Sequence, residues 1–178
     1  MKGVVFTEFL EMVEEKFSFE LTEQIIDASD LPSGGAYTAV GTYDHGEIVQ
    51  LVTHLSQKTG IAIPDLLRAF GQHVFGRFSV SYPHFFAGIN SSMEFMEKVD
   101  GYIHVEVRKL YPDAELPKLE YDKSVPGTLK VTYRSNRPFA DLADGMIAGC
   151  VEHFKDGVRV QREDVVPGSV AVFTMTQK

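Results

Sequence analysis

The sequence predicts an α+β fold, with a helical N-terminal part followed by a four-stranded antiparallel sheet. Up to Leu110, apolar residues recur three or four positions apart, as they do on the buried face of a helix. After Pro117, short segments alternate apolar and polar residues around Pro-Gly turns, which is typical of paired strands. The order strand, strand, helix, strand, strand is that of an antiparallel sheet with one further helix.

The N-terminal helices are predicted from amphipathic stripes and from start signals. Asp44 is expected to cap its helix in a capping box with Glu47, and Pro64 suits a first helical turn. Gly71 and Gly76 interrupt the next stripe, which indicates the close approach of something bulky or a break near Gly76. The predicted helices cover residues 4–13, 22–28, 44–60, 64–78 and 91–110.

The last of these helices contains His104. Ser91 or Ser92 supplies its cap, and a stripe of apolar residues runs on to Leu110. The fragment 104–108 also alternates as a strand does, so a strand is the alternative there.

Four strands and one more helix follow. The strands are predicted at 119–121, 129–135, 158–161 and 169–176, with turns at 125–127 and 166–168. The helix between the second and third strands opens at Pro138 and has Gly157 just past its end.

Length, charge and cysteine content limit the classes of function. A chain of 178 residues allows one domain, with subdomains at about 1–65 and 66–178. The net charge of -8 argues against nucleic acid as a partner. Glutamates break the apolar stretch at the N-terminus, so we expect neither a signal peptide nor a membrane span. Cys150 is the single cysteine, which favours a reducing compartment, and we expect the cytoplasm.

The motif Tyr133-x-Ser135-x-Arg137 carries the clearest chemistry. Alternate side chains of an extended segment point to the same face, so two hydroxyls and a guanidinium would converge there. Because a guanidinium donates two parallel hydrogen bonds to a carboxylate, the expected guest is a carboxylate or a phosphate.

His104 is the second candidate, among six histidines. It lies beside an apolar stripe, follows Gly101 and precedes the anion-binding motif, so a bulky apolar ligand with an anionic edge would reach both. Haem has this chemistry, since its iron accepts a histidine and its propionates are carboxylates. From the residues alone a structural histidine is the more frequent outcome, and Arg137 then serves a non-haem carboxylate or lipid ligand.

Nothing in the sequence indicates catalysis. It contains no phosphate loop, dinucleotide fingerprint or serine nucleophile elbow. Cys150 and His153 lie three positions apart on the predicted helix, but Cys150 belongs to the apolar face and no second cysteine completes a zinc site. We therefore expect a binding protein without catalytic residues, and no enzyme.

Together these residues resemble the H-NOX family, the haem nitric oxide/oxygen-binding domains found alone in bacteria and as the sensor of soluble guanylate cyclases. The resemblance rests on the opening Met1-Lys2-Gly3, on His104 and on the motif from Tyr133 to Arg137, and it covers essentially the whole chain. It implies a helical distal subdomain, a proximal subdomain of helices and antiparallel sheet, and one haem b (iron protoporphyrin IX) between them.

The resemblance also implies roles for individual residues. His104 is expected to be the proximal iron ligand, and Pro117 is expected to press on the haem and bend it. The expected haem contacts are Tyr133, Ser135 and Arg137 at the propionates, with Val5 and Phe78 at the porphyrin.

The distal side decides which gas binds, because bound oxygen gains from a hydrogen-bond donor that nitric oxide and carbon monoxide do not need. Oxygen-binding members carry a distal tyrosine after the propionate motif, with polar or aromatic partners on earlier helices. The matching positions here are Phe9, Val74 and Leu142, which resemble the nitric oxide-selective members. His73 and Tyr82 are the side chains that can still bring a donor to this side.

The function implied is a gas sensor that signals to a separate histidine kinase or cyclic-di-GMP enzyme. Nitric oxide is expected to weaken or break the bond between His104 and iron and to relieve the contact with Pro117, so that the subdomains shift. Two alternatives stay open: an oxygen-binding or peroxidase-type haem protein, which needs polar distal groups, and a non-haem carboxylate or lipid-binding module.

Overall fold

The computed structural model describes residues 1–177, and the chain forms two compact units, residues 1–70 and 71–178. The boundary falls inside a helix, a few residues after the expected division near residue 65. The helices are α1 (Gly3–Lys16), α2 (Phe19–Ala28), α3 (His45–Thr59), α4 (Ile63–Ser81), α5 (Ser92–Lys98), α6 (His104–Leu110) and α7 (Ala140–Phe154). The strands are β1 (Lys118–Asp122), β2 (Thr128–Arg134), β3 (Arg159–Val166) and β4 (Val170–Thr176).

The first unit is helical, as predicted. Its helices bury most of the predicted apolar stripes, including Phe6, Phe9, Val13, Ile25, Leu51 and Leu55. The loop between α2 and α3 returns to the start of α1, where the N–H of Gly3 donates to the carbonyl of Gly41 at 2.8 Å. A Cβ at residue 3 would lie 1.9 Å from the carbonyl oxygen of Thr38, so only glycine fits in this position.

Asp44 caps α3 as predicted, since its Oδ1 accepts from the N–H of Gly46 at 2.6 Å. The predicted capping box is wrong at Glu47, because this carboxylate is buried and accepts hydrogen bonds from Ser33 and Tyr37 instead. The bond from Tyr37 is 2.9 Å long. Glu47 therefore fastens the α2–α3 loop to α3.

In the second unit, α4 crosses α7 at Gly71, so the predicted close approach is confirmed. A Cβ at residue 71 would lie 2.2 Å from the carbonyl oxygen of Leu142, and one at Gly149 would lie 3.0 Å from Cβ of Phe75. Glycine on both helices lets their backbones meet at the crossing. The predicted break near Gly76 is wrong, because α4 continues to Ser81.

The four strands form one antiparallel sheet in the order β1-β2-β4-β3. Both predicted hairpins are present, and the two central strands, β2 and β4, bury alternate side chains. Across this pair Leu129 faces Met175, Val131 faces Phe173 and Tyr133 faces Ala171. These side chains join α7 residues such as Ile147 and Cys150 in one hydrophobic core.

Two of the later helices differ from the prediction in more than the exact position of their ends. The helix predicted for 91–110 begins after its Ser91 cap but is interrupted by a π-helical segment, Val99–Ile103, between α5 and α6. The strand alternative for 104–108 is wrong. The last helix starts at Ala140 instead of Pro138 and ends at Phe154. Its C-cap, Lys155, has a left-handed φ of 51° and lies two residues before Gly157.

Within the described residues, no helix has the length and apolar character needed to cross a membrane.

Candidate functional site

His104 is the first residue of α6 and follows directly on the π-helical segment. Its N–H donates to the carbonyl of Val99, five residues earlier, instead of the residue four earlier. Such single π turns are rare and frequently lie at functional sites. Ile103 is buried and Val99 packs against the core, while Gly101 is exposed, so the segment keeps the apolar stripe inward up to the histidine.

The His104 side chain is only 11% exposed, and its Nδ1 lies 3.4 Å from Oδ1 of Asp100. Burial lowers the pKa of His104, against an opposing effect of the Asp100 carboxylate. The imidazole is therefore neutral at physiological pH, with its Nδ1 proton directed to Asp100. The lone pair on Nε2 is then available to a metal, which is the protonation state that metal ligation needs.

Asp100 also joins this segment to β1, which runs along the edge of the sheet. Its Oδ1 accepts from the N–H of Leu119 at 3.4 Å, and its own N–H donates to the Tyr121 hydroxyl at 3.2 Å. Pro117, half-buried, lies immediately before β1 and two residues before Leu119. One carboxylate thus contacts both the candidate ligand and the strand next to the candidate proline.

The structure brings Tyr133, Ser135 and Arg137 together, but not by simple alternation along a strand. Tyr133 is buried on β2, which ends at Arg134. Beyond the strand the N–H of Ser135 still donates to the carbonyl of Ser169 at 2.9 Å, and the N–H of Arg137 turns back to the Ser135 hydroxyl at 3.1 Å. The two later side chains are therefore placed by a bend.

Electrostatics link the same three side chains. Burial raises the pKa of Tyr133, while the hydroxyl of Ser135 and the positive charge of Arg137 act in the opposite direction. A phenol in this position stays protonated at physiological pH and can donate a hydrogen bond to an anion.

Arg137 already holds a carboxylate in this structure. Its side chain is only 16% exposed, and Nη2 lies 2.5 Å from Oε2 of Glu115, whose side chain is 77% exposed. The guanidinium is thus held in place while its partner extends into solvent, where a carboxylate of a ligand can replace it. This arrangement fits the chemistry expected for a propionate site.

Phe78 lies in an aromatic cluster at the end of α4. Its ring stacks on Phe85 with centroids 5.4 Å apart and is tilted against Tyr82 at 5.2 Å. Phe85 also meets the edge of Tyr102 in the π-helical segment, at 5.6 Å. Burial and the nearby Tyr111 raise the pKa of Tyr82. The cluster therefore connects α4 with the segment that leads to His104.

The predicted distal positions belong to both units. In the second unit, Val74 lies one turn after Gly71 on α4, and Leu142 lies at the crossing with α7; both are half-buried, as is His73. In the first unit, Phe9 is fully buried on α1 and meets the ring of Phe70 edge-on, with centroids 5.2 Å apart.

Val5 precedes Phe9 by four residues on α1, so the two side chains lie on the same side of the helix. Val5 is half-buried. Neither side chain, nor those of Val74 and Leu142, carries a hydrogen-bond donor.

Sequence reasoning missed Asp100 and Glu115. Asp100 stands four residues before His104, a spacing at which helical side chains meet, so its contact was readable from the sequence. Glu115 is separated from Arg137 by a hairpin, and no local pattern relates the two.

Comparison with known proteins identifies the family. The haem-NO-binding family (HNOB) matches residues 2–162. None of the curated proteins matches the chain.

Solved H-NOX structures match the whole chain. The Fe(II) unliganded H-NOX protein from K. algicida is 37% identical, with a TM-score of 0.94 over 100% of this chain and 97% of that one. The IWP-051-bound H-NOX from Shewanella woodyi, in the Fe(II)CO state, is 36% identical, with a TM-score of 0.85 over 100% and 95%. An H-NOX protein from S. oneidensis in the Fe(II)NO state shares the fold at 20% identity, with a TM-score of 0.88 over 100% and 99%.

The predicted fold class, helices followed by a four-stranded antiparallel sheet, is confirmed both by the observed elements and by this likeness. The family match over most of the chain and the identity to solved members agree with the resemblance seen in the sequence. The chain therefore belongs to the haem-NO-binding, or H-NOX, family.

Proposed function

We propose that this chain is a haem-based gas sensor that binds nitric oxide and carbon monoxide and signals to a separate partner protein. The observation that carries the proposal is His104, a buried neutral imidazole whose Nδ1 is held by Asp100. Haem iron takes four ligands from the porphyrin, so one such imidazole completes a five-coordinate site.

The cofactor we propose is haem b, bound without a covalent link. Attachment of a c-type haem needs a Cys-x-x-Cys-His motif, and this chain has one cysteine, which is buried. When bound, haem would supply a ferrous iron able to coordinate a diatomic gas, and His104 would be the protein ligand whose bond responds to nitric oxide.

Different residues of the chain are proposed to bind different parts of the haem. His104 provides the iron ligand, while Tyr133, Ser135 and Arg137 hold the propionates in the way that Arg137 now holds Glu115. Glu115 is exposed and is expected to yield its place to a propionate. The apolar contacts we assign to the porphyrin are Val5, Phe78 and Pro117.

Gas selectivity follows from the distal side chains. Phe9, Val74 and Leu142 offer no hydrogen bond, so they give bound oxygen no stabilisation, whereas nitric oxide and carbon monoxide need none. The relative from Shewanella woodyi, 36% identical and solved in the Fe(II)CO state, supports carbon monoxide as a ligand here.

The signal we propose begins at His104. Loss of a bond from His104 to iron would free α6 from the cofactor and would relieve the contact we assign to Pro117. A partner responds only if it binds one of the two states more tightly. We propose a histidine kinase or a cyclic-di-GMP enzyme in the cytoplasm as this partner, with no catalysis by the chain itself.

An absorption experiment tests the function. The chain is loaded with haemin, reduced under nitrogen and exposed separately to nitric oxide, carbon monoxide and air. We expect a Soret band that shifts with the first two gases and no stable oxygen complex. A long-lived oxygen spectrum would favour the oxygen-binding alternative, and failure to take up haemin would favour the non-haem carboxylate or lipid module.

A further inference from the structure

Asp100 occupies an unusual position in the fold. It lies in the π-helical segment Val99–Ile103, four residues before His104, and its side chain is 34% exposed. Its Oδ1 is shared between Nδ1 of His104 and the N–H of Leu119, each at 3.4 Å. In the proposed function this carboxylate only fixes the tautomer of His104.

A carboxylate on the outer nitrogen of a ligating imidazole has two physical effects. It fixes the rotation of the ring, and its negative charge makes the inner nitrogen a stronger electron donor to a metal. Loss of such a partner typically weakens metal binding by about 10- to 100-fold. Because the contact is long and the carboxylate is partly exposed, we expect an effect near the lower limit.

The shared oxygen also makes a connection that does not run along α6. The N–H of Leu119 belongs to β1, and Pro117 lies just before that strand. The N–H of Asp100 donates to Tyr121 on the same strand at 3.2 Å. A rotation of the His104 ring changes its hydrogen bond to Oδ1 of Asp100. The same oxygen accepts from the N–H of Leu119 near the start of β1.

On the basis of the proposed function, we infer that Asp100 is a positioning residue that sets the strength of the bond between His104 and iron and ties this bond to the first strand of the sheet. It acts through the imidazole and touches neither the gas nor the iron. Its removal weakens the ligand bond without removing the ligand.

The test compares Asp100→Asn and Asp100→Glu with a matched control in the haem-loaded full chain. Glu97→Gln is the control, since it removes one negative charge one turn earlier, where Glu97 pairs with Lys123 at 2.8 Å and does not contact His104. The readout is the iron–histidine stretching frequency in the resonance Raman spectrum of the ferrous protein. A merely structural anchor would not move this band.

We expect a lower frequency in Asp100→Asn, a value nearer the parent in Asp100→Glu, which keeps the carboxylate, and no change in Glu97→Gln. Haem dissociation into an excess of an apo-haem acceptor should be about tenfold faster in Asp100→Asn.

Two different results would contradict the role of Asp100 and the assignment of His104, respectively. If Asp100→Asn binds haem with the parent frequency, Asp100 only anchors β1, and the positioning role is wrong while the sensor proposal stands. If the parent itself takes up haem but shows no iron–histidine band, the assignment of His104 fails, and the inference about Asp100 fails with it.

Discussion

Each unit contains a helix-borne carboxylate that holds polar side chains, and the two arrangements differ in tightness. In the first unit Glu47 is 4% exposed and accepts from two hydroxyls, with the Tyr37 bond at 2.9 Å. In the second unit the Asp100 side chain is 34% exposed, and both of its Oδ1 contacts are 3.4 Å long. The first site is closed and fully paired, whereas the second is open and borders an irregular turn.

The difference indicates that the Glu47 network is structural, whereas the hydrogen bonds of Asp100 can rearrange. A buried carboxylate with short bonds is costly to disturb, so Glu47 fixes a loop in one position. Long bonds from a partly exposed carboxylate contribute little to stability and can be remade when His104 moves. We therefore expect substitution of Glu47 to cost more stability than substitution of Asp100.

Glu47→Ala is expected to have the larger effect on stability. It removes a buried carboxylate and leaves two half-buried hydroxyls without their acceptor, which should cost about 2 to 3 kcal/mol and lower Tm by about 5 to 10 °C. Thermal unfolding followed by circular dichroism measures this loss, with Glu23→Gln on the exposed side of α2 as a control. The haem absorption spectrum should not change; an unchanged Tm would show that the network is not structural.

Asp100→Asn should lower the free energy of unfolding by less than about 1 kcal/mol, because the bonds it loses are long and partly exposed. Urea unfolding of the apo-protein measures this value independently of the cofactor. A loss as large as that of Glu47→Ala would remove the contrast between the two networks.

An effect confined to high pH concerns two tyrosines, one in each network. Burial raises the pKa of both Tyr37 and Tyr121 to about 12. Because the folded pKa exceeds the unfolded value of about 10, their contribution to stability is present below pH 10 and is lost as pH rises towards 12. The urea midpoint should therefore fall less between about pH 8 and about pH 11 in the double variant Tyr37→Phe/Tyr121→Phe than in the parent.

An equal pH-dependent loss of stability in the parent and the double variant would show that other groups cause it. Ultraviolet titration of tyrosinate gives a separate control, since both phenols should ionise after the exposed ones.

Much of the fold was readable from the sequence because it depends on local patterns. The amphipathic stripes predicted the helices, and alternation around Pro-Gly turns predicted the hairpins. The π-helical segment was not predicted, since residues 99–103 keep the same apolar spacing as an α-helix. The role of Glu47 was also missed, because its partners Ser33 and Tyr37 are brought to it by a loop whose path no periodicity describes.

The candidate site was partly predictable for the same reason. The motif containing Tyr133, Ser135 and Arg137 is local, although a bend rather than a strand brings the last two into place. The pairing of Arg137 with Glu115 depends on the tertiary fold, and no local sequence pattern predicts it. The roles of these residues in haem binding remain predictions.

The most direct test of the account is His104→Gly, measured with and without imidazole. The variant is loaded with haemin, reduced, and its absorption spectrum is recorded before and after free imidazole is added. We predict that normal haem ligation is lost in the variant and returns with imidazole, which replaces the missing side chain. An unchanged Soret spectrum in the variant without imidazole would contradict the assignment of His104 as the iron ligand.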